Sequence, residues 1–103
     1  MIARLWTAKT SRANAPAYAA HLKNHVLVAL GTVDGYTGAK LLERETDAEV
    51  EILVITFWQS LESIKGFAGE DFEEAVVSDQ VAPLLSHYDH RVTHYKVIVE
   101  DKA

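Results

Sequence analysis

Between Ile52 and Trp58 the chain carries no charged residue, and both of its alternation sets are apolar. Leu53, Ile55 and Phe57 form one set; Ile52, Val54 and Trp58 form the other, with Thr56 its lone polar member. A strand with one wet face alternates apolar with polar residues, so this run predicts a strand covered on both faces. Its β-branched and aromatic content favours strand over buried helix. Ser60 then suits an N-cap, Glu62 suits the positive end of a helix dipole, and Leu61, Ile64 and Phe67 recur at helical spacing. Gly69 is placed to end that helix.

The flanking pattern supplies the other elements. Residues 2 to 9 alternate as a first strand, with Ile2, Arg4, Trp6 and Ala8 on one face and Ala3, Leu5 and Thr7 on the other. A helix follows from about Pro16 to Leu30, with Ala19, Leu22, Val26, Ala29, Leu30 and Val33 as its buried stripe. Tyr18, His21, His25 and Val28 fall on a neighbouring face. Gly31, Asp34 and Gly35 turn the chain into a less buried strand over Tyr36 to Arg44, and Thr46 to Ala48 form a hairpin into the central run. After Gly69, Asp71 can cap a further helical turn carrying Phe72, Ala75 and Val76. Pro83 either opens a short helix or sits in a loop, and Arg91 to Val99 alternate as the last strand.

The order strand, helix, strand, strand, helix, strand is that of an α+β, ferredoxin-like βαββαβ domain, an antiparallel sheet with helices on one face. At 103 residues, 49% of them hydrophobic, residues 1–103 read as one domain. So small a chain has little material to cover both faces of its central strand, and a homodimer is the simplest way to cover the second. The net charge of −5 and the absence of any basic cluster argue against a nucleic-acid partner. Without cysteine there is no thiolate chemistry or disulfide framework. No apolar run reaches membrane-spanning length, and the opening MIARLWTAKT lacks the apolar core of a signal peptide. The expectation is a cytoplasmic protein that engages neither nucleic acid nor membrane.

Thr56, Trp58, Ser60, Glu62, Ile64, Phe67, Ala68, Gly69, Glu70 and Asp71, with Val92, His94, Tyr95 and Val97 near the end, form a longer pattern. It resembles the antibiotic biosynthesis monooxygenase family over nearly the whole chain. The resemblance implies that two ferredoxin-like domains pair into a dimeric α+β barrel. Some members oxygenate aromatic polyketide intermediates without metal, flavin or haem: the substrate's own phenolate or carbanion reacts with oxygen. The protein then supplies desolvation, orientation and a proton acceptor. Other members degrade haem with an Asn on the first strand, a Trp on the second helix and an axial His further along that helix. Thr7, Phe67 and Val77 stand at those places here, so neither haem degradation nor any other cofactor is expected.

The remaining chemistry is that of an apolar pocket with a few polar groups. Trp6, Trp58, Tyr36 and Phe67 are the candidate substrate-binding residues, although such residues also build ordinary cores. His94 or His25 is the candidate proton acceptor, and Arg4 the candidate cation for an anionic or phenolate ligand. Arg4 could equally lay its stem on Trp6 or pair with a partner subunit, and His94 could be structural. His21 and His25 have a chelating spacing, as would His87, His90 and His94 on a helix. The strand pattern from Arg91 removes His94 from that set, and no metal is expected. The function expected is cofactor-independent oxygenation of a small aromatic or quinol-type substrate. The alternatives are a non-catalytic small-molecule-binding or stress-associated barrel, or an isomerase or lyase on the same scaffold.

Overall fold

The computed structural model describes residues 1–103. β1 (Ile2–Thr10) leads into a helix, α1, that is α-helical over Ala15–His21, π-helical over Leu22–Val26 and α-helical again over Leu27–Leu30. β2 (Tyr36–Glu45) and β3 (Val50–Trp58) form a hairpin, and α2 (Leu61–Ala68) follows. A 3₁₀ turn at Ala82–Leu84 opens onto β4 (Leu85–Tyr88) and β5 (Thr93–Lys96). The sheet runs β2-β3-β1-β4, every neighbour antiparallel, and β5 pairs with β1 beyond β4. This is the expected ferredoxin-like arrangement, with its last strand in two pieces. From Leu5 to Ala8 is three steps on β1, whereas their partners Thr93 and Tyr88 are five apart. The two extra residues form a bulge, and it leaves the Asp89 carbonyl free to accept the Trp6 indole N–H at 2.8 Å.

The local signals of α2 act as the sequence predicts. Ser60 Oγ accepts the Ser63 backbone N–H at 3.3 Å, and Gly69 ends the helix at φ +89° with its N–H on the Lys65 carbonyl. Gly35 has no substitute, because a Cβ there would lie 1.9 Å from Ser63 Oγ and φ is already +88°. Its carbonyl accepts the Gln59 N–H at 2.8 Å, which ties the end of β3 to the start of β2.

One face of the sheet packs under the helices. Ala8, Ile52 and Val54 meet Tyr18, Leu22 and Val81 in one cluster, and Trp58 meets Leu30 and Ile64 in a second. The other face is only half-covered: β3 alternates buried with partly exposed residues, and Leu53, Ile55 and Phe57 are the partly exposed set. The single chain therefore covers one of the two faces that the apolar run of β3 offers.

Three elements differ from the sequence expectation. Leu85–Tyr88 is a strand, where the sequence leaves a short helix or a loop after Pro83. Ala29 is exposed, and the buried stripe of α1 passes through Tyr18, 4% exposed, in place of Ala19. The π turn, in which the Leu27 N–H reaches the Leu22 carbonyl, adds one residue and turns Ala29 outward; Tyr18 lies before it, one α-helical turn ahead of Leu22. The turn expected over Phe72 to Val76 is not helical. Its backbone bonds run elsewhere: the Glu73 carbonyl accepts Val92 N–H at 2.7 Å, and Ala75 N–H donates to the His90 carbonyl at 2.8 Å.

Ile52 is 1% exposed, so Ile52→Ala should lower stability by about 2–5 kcal/mol through lost burial and the cavity it leaves. Val28 on the outer side of α1 is 66% exposed, and Val28→Ala should cost under about 0.5 kcal/mol. Urea unfolding of both variants checks the two values.

Candidate functional site

A cavity of about 330 Å³ lies between the sheet, α1 and the segment from Phe67 to Val81. Its floor is the inward alternation set of two neighbouring strands. Arg4 stands opposite Thr56 and Trp6 opposite Val54 in the β1–β3 register, so the four side chains form a two-by-two patch. α1 supplies Tyr18, His21, Leu22 and His25 as one wall; Phe67, Val77 and Val81 supply another.

Arg4 is 5% exposed and makes no ion pair with a carboxylate. Its Nη1 donates to the Phe72 carbonyl and reaches His94 Nε2 at 3.1 Å; its Nη2 donates to the Glu74 carbonyl at 3.0 Å. The guanidinium also lies 5.8 Å from the centre of the Phe67 ring. Burial lowers its pKa to about 10, which leaves it cationic at neutral pH. Burial, and then the Arg4 charge, push His94 below the usual histidine value, with Glu73 opposing. A neutral His94 accepts from Arg4 at Nε2 and so carries its proton on Nδ1.

Of the residues singled out from sequence, Arg4, Trp6, His25 and Phe67 line the cavity. His94 does not; it sits behind Arg4, with its ring 5.4 Å from that of Phe72. Trp58 is fully buried beneath Phe67, their rings stacked at 5.7 Å, and Tyr36 meets Trp58 edge-on at 5.5 Å. Trp58 and Tyr36 therefore support the wall from outside the cavity. Trp58 also donates its indole N–H to Thr56 Oγ1 at 2.8 Å.

Tyr18 and Thr56 are cavity residues that the sequence reading did not single out. Tyr18 stands one turn before Leu22, as does Ala19, and spacing alone does not choose between them. Thr56 was visible as the one polar residue in the buried set of β3, a position at which a hydroxyl needs a reason. The three C-terminal histidines diverge, since His87 pairs with Lys9 in register, His90 packs on Tyr88 and His94 turns to Arg4. His21 and His25 do meet, with ring centres 5.1 Å apart, but no third His, Cys, Asp or Glu joins them.

No protein-family model and no curated protein sequence matches the chain. Solved structures do. A candidate antibiotic biosynthesis monooxygenase from Bacillus cereus superposes with a TM-score of 0.68 at 13% identity, over 100% of this chain and 96% of the other. Another from Deinococcus radiodurans gives 0.67 at 17% identity, over 100% and 98%. The haem-degrader MhuD from Mycobacterium tuberculosis, solved with two haems in its active site, gives 0.63 at 18% identity, over 99% and 100%. The chain thus has the fold of the antibiotic biosynthesis monooxygenases, as its sequence pattern implies. The haem-degrading donor set does not fit this cavity. Phe67 and Val77 line it without offering a ligand, and Thr7 lies on the far side of β1, bonded to Asp89.

Because the folded state favours neutral His94, the unfolded chain takes up a proton below about pH 6.5 that the folded chain resists. The stability from this group is complete above that pH and falls as acid is added. Thermal unfolding across pH 7.5 to about 5 should show this loss. His94→Gln, whose amide oxygen can still accept from Arg4, should flatten the slope in that window.

Proposed function

We propose that the protein is a cofactor-independent monooxygenase that acts on a small aromatic or quinol-type substrate in the cavity over β1 and β3, as a homodimer. The observation that carries this reading is a buried cation, Arg4, in a mostly apolar cavity, with no protein carboxylate to neutralise it. Such a group stabilises negative charge that develops on a bound substrate in a water-poor site.

In the proposed reaction His25 removes a proton from an activated substrate carbon or hydroxyl, with the neighbouring His21 at the same wall. Arg4 holds the resulting anion, and Trp6 and Phe67 exclude water from it. The anion gives electrons to molecular oxygen and a carbon–oxygen bond forms. For a substrate CH₂ group, one oxygen atom remains as a carbonyl; the other leaves as water with the two hydrogens. The substrate supplies all four electrons that the oxygen molecule takes up, so no reductant is required. His94 acts through Arg4, keeping the guanidinium in place with an uncharged acceptor.

Support for the dimer comes from the half-covered sheet face. Leu5, Leu53, Ile55 and Phe57 are partly exposed there; Leu42 and Tyr95, opposite Leu53 and Ala3 in register, are 46% and 56% exposed. A second copy packed sheet to sheet would bury them. The reading places the protein in the cytoplasm, and no helix is long and apolar enough to cross a membrane.

Purified, metal-stripped protein should consume oxygen above the uncatalysed rate with anthrone- or quinol-type substrates. Arg4→Ala and His25→Ala should each lower that rate by about a hundredfold or more. No uptake from a folded sample with any of the panel would overturn catalysis and leave a binding protein. In sedimentation equilibrium the native chain should be a dimer. Ile55→Glu, which places a charge in the middle of the half-covered face, should be a monomer.

A further inference from the structure

Two nearly buried residues of the cavity keep donors without a protein partner. Tyr18 is 4% exposed, and its hydroxyl makes no hydrogen bond within the protein, whose other side-chain bonds run elsewhere. Arg4 uses three of its five N–H groups, on Phe72, His94 and Glu74, which leaves Nε–H and one Nη2–H. No side-chain nitrogen or oxygen of the protein is both sealed and unbonded, so the Tyr18 hydroxyl and Arg4 Nε keep accessible surface, and both residues line the cavity. Thr56 adds a third group beside Arg4. Its oxygen already accepts from Trp58, which leaves the hydroxyl hydrogen to point away.

The three groups are not scattered. Arg4 and Thr56 form one corner of the floor, with Phe67 over it. Trp6 comes next along β1, about 7 Å further on the same face. The Tyr18 ring lies 6.3 Å from that of Trp6, on the α1 wall. The rest of the lining includes Leu22, Val26, Val54, Val77 and the indole of Trp6, with His21 and His25 on the α1 wall. Trp6 gives its own N–H to Asp89 and presents only its ring surface inward.

We propose that the cavity binds a flat aromatic anion that carries oxygen at both ends, a carboxylate or acidic enol on the Arg4–Thr56 corner and a hydroxyl or carbonyl at Tyr18. Two free N–H groups of a guanidinium can meet the oxygens of a carboxylate, and an added hydroxyl donor strengthens the same end. A buried cation without an acidic neighbour is costly when empty and is relieved by an anion. Tyr18 selects length: a ligand too short to pass Trp6 leaves its hydroxyl unpaired, and an apolar far end buries it without a partner. The inference rests on the proposed substrate site and names the class of molecule that fits it.

The test uses three naphthalenes of one size on the native protein, followed by quenching of Trp fluorescence and by calorimetry. 6-Hydroxy-2-naphthoate carries both functions, 2-naphthoate lacks the far oxygen, and methyl 6-hydroxy-2-naphthoate lacks the charge. The hydroxy acid should bind most tightly, with the ester weaker by roughly tenfold or more and 2-naphthoate weaker by roughly threefold to tenfold. Tyr18→Phe should abolish the difference between the hydroxy acid and 2-naphthoate, with 2-naphthoate binding the variant at least as tightly as the native protein. Arg4→Gln should abolish the difference between acid and ester. If that variant does not fold, the acid–ester ratio on native protein decides. Equal binding of acid and ester, or a Tyr18→Phe loss that is the same for both acids, would overturn the proposal. The expected binding pattern without oxygen uptake on any substrate would sink the oxygenase reading and keep the ligand class. Uptake on neutral substrates alongside equal acid and ester binding would do the reverse.

Discussion

The buried guanidinium of Arg4 is the interaction around which the site is built. From β1 it reaches the carbonyls of Phe72 and Glu74 and the ring of His94 on β5. One side chain thus joins the centre of the sheet, the edge strand and the loop that roofs the cavity. The bonds to Phe72 and Glu74 take carbonyls that a helical turn would need, and the neighbouring backbone pairs with His90 and Val92 instead. The loop is therefore held open and extended across the end of the sheet. Carbonyl dipoles satisfy part of the guanidinium without neutralising it, and the charge stays available to the cavity. His94 contributes by staying neutral, since a second cation at 3.1 Å would compete for the same space.

Two irregularities of the backbone decide where the other cavity groups point. The π turn of α1 changes the helical phase after Leu22, and Tyr18, His21 and His25 share the wall of the cavity. The bulge between β4 and β5 frees the Asp89 carbonyl, which fixes the Trp6 indole so that its face lies toward the cavity. In a regular helix and an unbroken edge strand the same residues would present other atoms. Departures of this kind cost backbone regularity, and they cluster here around one space.

That explains which parts were legible from the sequence. The elements that obey a single period (β1, β3 and α2 with its Ser60 cap and Gly69 stop) were read to within a residue or two, because alternation and capping are local. Arg4 and Trp6 were placed on one face by simple alternation, and they do share the cavity floor. Tyr18 escapes the periodic reading because Ala19 and Tyr18 both fall one turn before Leu22, and local spacing does not say which of them faces the sheet. Trp58 and Tyr36 were taken for cavity residues because aromatic type does not say which side of a wall a ring occupies. The segment after Gly69 was misread because a distant side chain captures its carbonyls, and a contact 68 residues away in sequence leaves no periodic trace.

The fold by itself is permissive, since chains with this backbone include a haem-degrader and candidate monooxygenases at under 20% identity to this one. What differs among them must lie in the few inward positions of the floor and of α1. In this chain those positions combine a cation, a hydroxyl supported by Trp58 and an unpartnered phenol around an apolar centre. Arg4 and Thr56 each have structural partners as well, while the Tyr18 hydroxyl has none, and the apolar clusters beneath α1 and α2 carry most of the packing. A buried polar group that packing does not require persists at a cost of several tenths to a few kcal/mol, roughly, unless something binds to it. Three such groups facing one cavity are more economically explained by a ligand with matching oxygens than by three separate structural accidents.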